Sequence, residues 1–157
     1  MSTPPTASPE ELVQEEMNRL EAYRSQLNAM LQQHQMLQSS RLDHERAQRA
    51  LDGIARVDAG REMLIPLGGE TYMRGSVQRG APVLIGIGSG VAVELPREQV
   101  VETLAQRITR IDEALRELEG QIRTFEDRIQ YLNQRLDALA RGERLPGEAP
   151  EGDVGRD

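Results

Sequence analysis

Between Val101 and Leu139 apolar positions recur in alternating steps of three and four. Val101, Leu104, Ile108, Ile111, Leu115, Leu118, Ile122, Phe125, Ile129, Leu132, Leu136 and Leu139 fill all twelve a and d positions of this repeat, and none is polar. A spacing that averages about 3.5 residues keeps one apolar seam turned toward a partner helix, the pattern of a left-handed coiled coil. No proline lies between Arg97 and Leu145, and Gly120 is the one glycine before Gly142. The pattern predicts a helix over residues 96–141, and its seam has to be covered by something apolar.

A second helical stretch runs from Pro9 to about residue 60, rich in Glu, Gln, Arg, Leu, Met and Ala. Its apolar positions are Val13, Met17, Leu20, Tyr23, Leu27, Met30 and Leu37, a looser series. Continuing the seven-residue count brings His34, Arg41, His44 and Gln48 into the seam. A phase through Ala47, Leu51 and Ile54 fits the last turns better, so a change of register is expected near residues 40–45. Ser8-Pro9-Glu10-Glu11 reads as a capping box with proline in the first turn. Two helices of matched length, each roughly 65–75 Å at ~1.5 Å rise per residue, predict an antiparallel pair in which the first covers the seam of the second.

Between them, residues 61–95 change period. Met63-Leu-Ile-Pro-Leu67 and Thr71 to Val77 flank Gly68-Gly69, and Val83 to Gly88 and Val91 to Leu95 flank Ser89-Gly90. Each half reads as a β-hairpin. Isolated hairpins are marginal in water, so open strand edges predict oligomerisation through β-sheet. The candidate assembly residues are Ile65, Leu67, Val77, Val83, Ile85, Ile87, Val91 and Val93. Residues 1–8, rich in Ser, Thr and Pro, and residues 142–157, acidic with Gly and Pro, read as disordered. The fold class is therefore α+β, with two hairpins inserted into a long helical pair.

Composition narrows the function. Hydrophobic residues make up 38% and aromatics 3%, thin for a globular core and ordinary for a coiled coil. The net charge of −7 leaves no positive field to draw a nucleic-acid backbone. The absence of Cys removes disulfides, thiolate metal sites and cysteine nucleophiles. All nineteen basic residues are Arg, which removes Schiff-base chemistry and the P-loop lysine. The N-terminal residues do not fit a signal peptide, and the uncharged run from Gly80 to Val93 is too short to span a bilayer. The expectation is a soluble cytoplasmic protein with no membrane or nucleic-acid partner.

Candidate chemistry reduces to structure. Gly86-Ile-Gly-Ser-Gly90 superficially resembles a phosphate-binding loop, but it leads into a strand where such a loop must open a helix. His34 and His44, the two histidines, are ten residues apart and cannot share a metal. Glu10-Glu11, Glu15-Glu16 and Asp112-Glu113 lie on helices without a cleft to split their pKa values. Asp112 with Arg116 and Glu119 with Arg123 fit intrahelical pairs. No cofactor, metal or catalytic residue is expected, and no enzyme.

The order helix, two hairpins, helix resembles the prefoldin family, specifically its α-type subunit; the β type carries a single hairpin. Leu64-Ile-Pro-Leu-Gly-Gly69 and Val83-Leu-Ile-Gly-Ile-Gly-Ser-Gly-Val-Ala-Val-Glu94 are similar to family segments, and the resemblance covers residues 10–140. It implies a hexamer of two α-type and four β-type subunits with a β-barrel body built from the hairpins. It further implies ATP-independent capture of unfolded polypeptides at the coiled-coil tips and their delivery to a group II chaperonin. The residues at the free helix ends are Leu12, Val13, Met17 and Leu20 on the first helix and Leu132, Leu136 and Leu139 on the second. They either close the coil or offer its seam to clients, where flexible Met suits promiscuous contact. The competing reading is a structural adaptor that assembles through the same hairpins and grips a specific folded partner.

Overall fold

The computed structural model describes residues 9–78 and 80–142; the expectations for both tails and for the Ser8 cap lie outside them. The elements are α1 (Pro9–Ala55), β1 (Glu62–Gly68), β2 (Thr71–Ser76), β3 (Val83–Gly88), β4 (Val91–Leu95) and α2 (Arg97–Ala140). The strands form two separate antiparallel pairs, β1–β2 and β3–β4, between two long helices. Helix α1 runs without glycine until Gly53, whose carbonyl accepts from Arg56 N–H as the last turn tightens. Pro96 sets the start of α2, and its carbonyl accepts from Gln99 and Val100. Glu98 in that first turn has its carboxyl held below the usual range by its own backbone N–H and by Arg97. Helix α2 stops where Gly142 takes a φ of 69°, a left-handed cap.

The described residues divide into two compact units, one formed by residues 9–34 with 117–142, the other by Gln35–Arg116. Within the first, pairs run Glu16 to Arg135, Tyr23 to Phe125 and His34 to Glu119, so the helices are antiparallel there. Leu20, Leu118, Ile122, Leu132 and Ala138 form its buried apolar layer. The Tyr23 and Phe125 rings meet edge-on at 5.5 Å, and the Arg128 guanidinium lies over both.

The second unit has the same antiparallel order, from Arg41 with Asp112 to Gln48 with the Val101 carbonyl and Asp52 with Arg97. Its core is Ile85, Val100 and Leu104, flanked by Leu51, Val83, Val93 and Leu95.

The first helix differs from its sequence reading in two respects. Arg41, His44 and Gln48 are half-buried and Ala47 is exposed, so the original count continues through residue 48 with no change at residues 40–45; the shifted phase is met only in the last turns, where Ile54 is half-buried and Ala55 exposed. At the other end Glu16 is 5% exposed while Met17 is 52% exposed, so the charged residue occupies the seam position and the apolar one does not. The reason is common to both. Each polar seam residue finds a partner on α2 or in its own helix, which offsets part of the cost of burying it. Arg41 donates to Asp112, Gln48 donates to the Val101 carbonyl, and His44 Nδ1 donates to the Ser40 carbonyl. Asp112 also raises the pKa of the Arg41 guanidinium, chiefly through that hydrogen bond. The acidic residues expected in intrahelical pairs are thereby used across the interface: Asp112 meets Arg41, Glu119 meets His34, and Arg116 turns to the backbone carbonyl of Asp112.

Candidate functional site

Both hairpins are built the same way. In the first, Gly69 and Glu70 have φ of 55° and 59°; in the second, Ser89 and Gly90 have φ of 51° and 75°. Two successive positive φ values give the type I′ twist that matches paired strands. A bulge precedes each turn, between Pro66 and Gly68 and between Gly86 and Gly88.

Their surroundings differ. In β3–β4, the pairs Val83 with Leu95 and Ile85 with Val93 put one face on α2, where Ile85 falls to 6% exposure against Val100 and Leu104. Arg107 of α2 adds a hydrogen bond of 2.6 Å to the Gly86 carbonyl. The opposite face carries Leu84, and Ile87 in the bulge stands out with it.

In β1–β2 no residue of β1 is covered. One face presents Met63, Ile65 and Met73, the other mixes Leu64, Pro66 and Tyr72 with Glu62, Arg74 and Ser76, so exposed apolar side chains stand on both faces. Arg74 and Glu62 make a surface ion pair beside them. Ile65 lies across Gly75, where an added Cβ would come within 2.6 Å of Ile65 Cδ1. Each two-stranded sheet also leaves one edge of every strand unpaired. Beside the hairpins, Val77 and Val83 help line an open hollow of about 640 Å³ with Leu51, Ile54, Val57 and Pro96.

The structure thus divides the candidate assembly residues. Val83, Ile85 and Val93 pack on the chain's own helix, whereas Ile65, Leu67, Ile87 and Val91 are exposed and Val77 is half-buried. Exposed Leu64, Tyr72, Met73 and Leu84 belong with the second group and were not among the candidates. Their signal was present in the sequence as apolar residues on both alternating faces of one strand, which marks a strand covered on both sides.

At the free helix ends, Leu20 and Leu132 are buried against the partner helix. Leu12, Val13, Leu136 and Leu139 are half-buried, and Met17 faces out. Unanticipated was the pair between Glu16 and Arg135, at 2.9 Å, within this apolar end. Among the described residues no helix is long and apolar enough to cross a membrane, and no group of three or more His, Cys, Asp or Glu is placed to hold a metal ion.

Comparison with known proteins places this geometry. The family model for the prefoldin subunit matches residues 23–142. The chain is 30% identical over 125 residues to the prefoldin subunit alpha of Methanoculleus marisnigri, covering 80% of this chain and 83% of that one. It is 28% identical to the prefoldin subunit alpha of Methanocorpusculum labreanum, over 81% of this chain and 89% of that one. Among solved structures, a chain of filamentous prefoldin from Methanocaldococcus jannaschii superposes with a TM-score of 0.64 at 18% identity, covering 74% of this chain and 97% of that one. The prefoldin beta subunit of Thermococcus strain KS-1 superposes with a TM-score of 0.54 at 20% identity, covering 93% and 100%.

Proposed function

Because this chain belongs to the prefoldin family, as an α-type chaperone subunit, we propose that it works as an ATP-independent holdase within a hexamer of two α-type and four β-type subunits. Its hairpins join those of its partners in a β-barrel body. Its helix ends capture unfolded polypeptides, and the complex passes them to a group II chaperonin in the cytoplasm.

The observation that carries the reading is the first hairpin, which exposes large apolar side chains on both faces. A lone two-stranded hairpin is at best marginally stable. Strands from other subunits would pair its edges and bury Leu64, Ile65 and Tyr72. For client capture the supporting feature is the helix ends, where Met17 is exposed and Leu12, Val13, Leu136 and Leu139 are incompletely covered. Contacts of this kind are individually weak, and several ends acting on one client would sum by avidity.

The test is an aggregation assay. The chain, co-purified with a β-type partner, is added without ATP to a chemically denatured protein diluted into buffer, and light scattering is followed. Suppression at near-stoichiometric complex, lost when about ten residues are removed from each helix end, supports the holdase. A well-formed complex that leaves aggregation unchanged overturns it in favour of an adaptor for a folded partner.

A further inference from the structure

The Glu16–Arg135 pair has no place in a simple coiled coil. Glu16 sits one turn from Leu20 and Arg135 one turn from Leu132, both buried apolar residues. Glu16 is as buried as they are, and Arg135 Nη2 donates to its Oε1 at 2.9 Å. The other carboxylate oxygen, Oε2, is buried and accepts no hydrogen bond. Arg135 is itself held from its own helix, with its guanidinium 5.8 Å over the Tyr131 ring.

We propose that Glu16 and Arg135 form a latch that keeps the free helix ends in register and closed, and that its opening releases the neighbouring apolar seam to an unfolded client. This rests on the reading of the helix ends as the client site. The physical basis is the balance of burying a charge pair. A buried pair penalises misregistered alternatives, because a shift leaves each charge without its partner, yet it holds a closed state less firmly than apolar packing of equal volume. Opening returns water to both charges and to Oε2, so separation at this layer costs less than separation of a Leu layer. The apolar seam around it is then exposed by a reversible local event. Arg135 is already one quarter exposed and can turn to water when the ends part.

The experiment uses the assembled complex and two readouts: amide hydrogen exchange over residues 10–20 and 130–140, and equilibrium binding of a reduced, carboxymethylated, permanently unfolded protein. Glu16→Ala is expected to speed exchange at both ends on the order of tenfold, less than for a fully buried pair because Arg135 is already one quarter exposed, and to tighten binding. The double variant Glu16→Leu with Arg135→Leu, which keeps the layer filled, is expected to slow exchange and to weaken binding about threefold or more. The swap Glu16→Arg with Arg135→Glu is expected to bring both readouts back toward the parent. Unchanged exchange in both Glu16→Ala and the double Leu variant overturns the latch. So does altered exchange with unaltered binding. If binding survives removal of the ends, the client-site reading itself has failed; if removal abolishes binding while the latch variants behave as the parent, the latch alone has failed.

Discussion

The two hairpins share a turn type and a bulge position, and their strands differ by one residue in length, yet one is part of the chain's core and the other is not. The second rests on α2 through Ile85, Val83 and Val93 and is fastened by Arg107. The first has no buried residue and shows apolar side chains on both faces. Backbone geometry therefore does not decide what a hairpin is for. Its surroundings do, and here they divide the pair into a scaffold and a free surface.

The sharpest way to break this comparison is to remove the scaffold's anchor. Ile85→Ala is expected to destabilise the chain by about 2–5 kcal/mol, the cost of a large-to-small change in a core, read as a lower denaturant midpoint. A value near zero would mean that Ile85 is not anchored on the helix. Two apolar-to-acid changes probe the free surface. Leu64 is 63% exposed and Ile87 57% exposed, so Leu64→Asp and Ile87→Asp are expected to shift the isolated chain's stability by no more than about 0.5 kcal/mol. The same changes are expected to weaken association with β-type partners by about 2 kcal/mol or more, if these residues become buried anchors. Analytical ultracentrifugation of the mixed subunits measures this; undisturbed assembly of Leu64→Asp would remove the first hairpin from the interface, and of Ile87→Asp the outer side of the second.

Smaller effects refine the contrast. Arg107→Met keeps the stem and removes the donor to Gly86. It is expected to cost about 1 kcal/mol and to raise amide exchange in β3–β4 while leaving β1–β2 unchanged; equal effects on both hairpins would contradict a local clasp. Smallest is Gly75→Ala. The added methyl meets the mobile end of Ile65, so a rotamer change relieves the contact at about 0.5–1 kcal/mol. The expected signature is a shifted Ile65 methyl resonance with little change in melting. A large loss would show that Ile65 cannot move.

Much of the architecture could be read from residue pattern. The α2 seam was legible because an apolar side chain needs only an apolar neighbour, and twelve such residues fix the face they share. The hairpins were legible because positive φ at a two-residue turn draws on few residue types. The α1 seam was less so. Met17 looked like the seam residue and Glu16 like a solvated one, and nothing near residue 16 could reverse that order. Arg135 does. Likewise the partners of His34, Arg41 and Gln48 lie 85, 71 and 53 residues away in the chain.

The sequence alone determined that this protein has two long helices around two β-hairpins, with an apolar stripe on α2 that requires a partner. Those features follow from local preferences and from a period repeated many times. Tertiary structure alone decided that Glu16 and not Met17 enters the α1 seam, that Ile85 belongs to the chain's own core, and that the first hairpin is left uncovered. Burial of a polar group depends on one distant side chain offering the matching charge or hydrogen bond. Exposure of an apolar strand depends on the absence of a covering surface, and neither condition is written in the neighbouring residues.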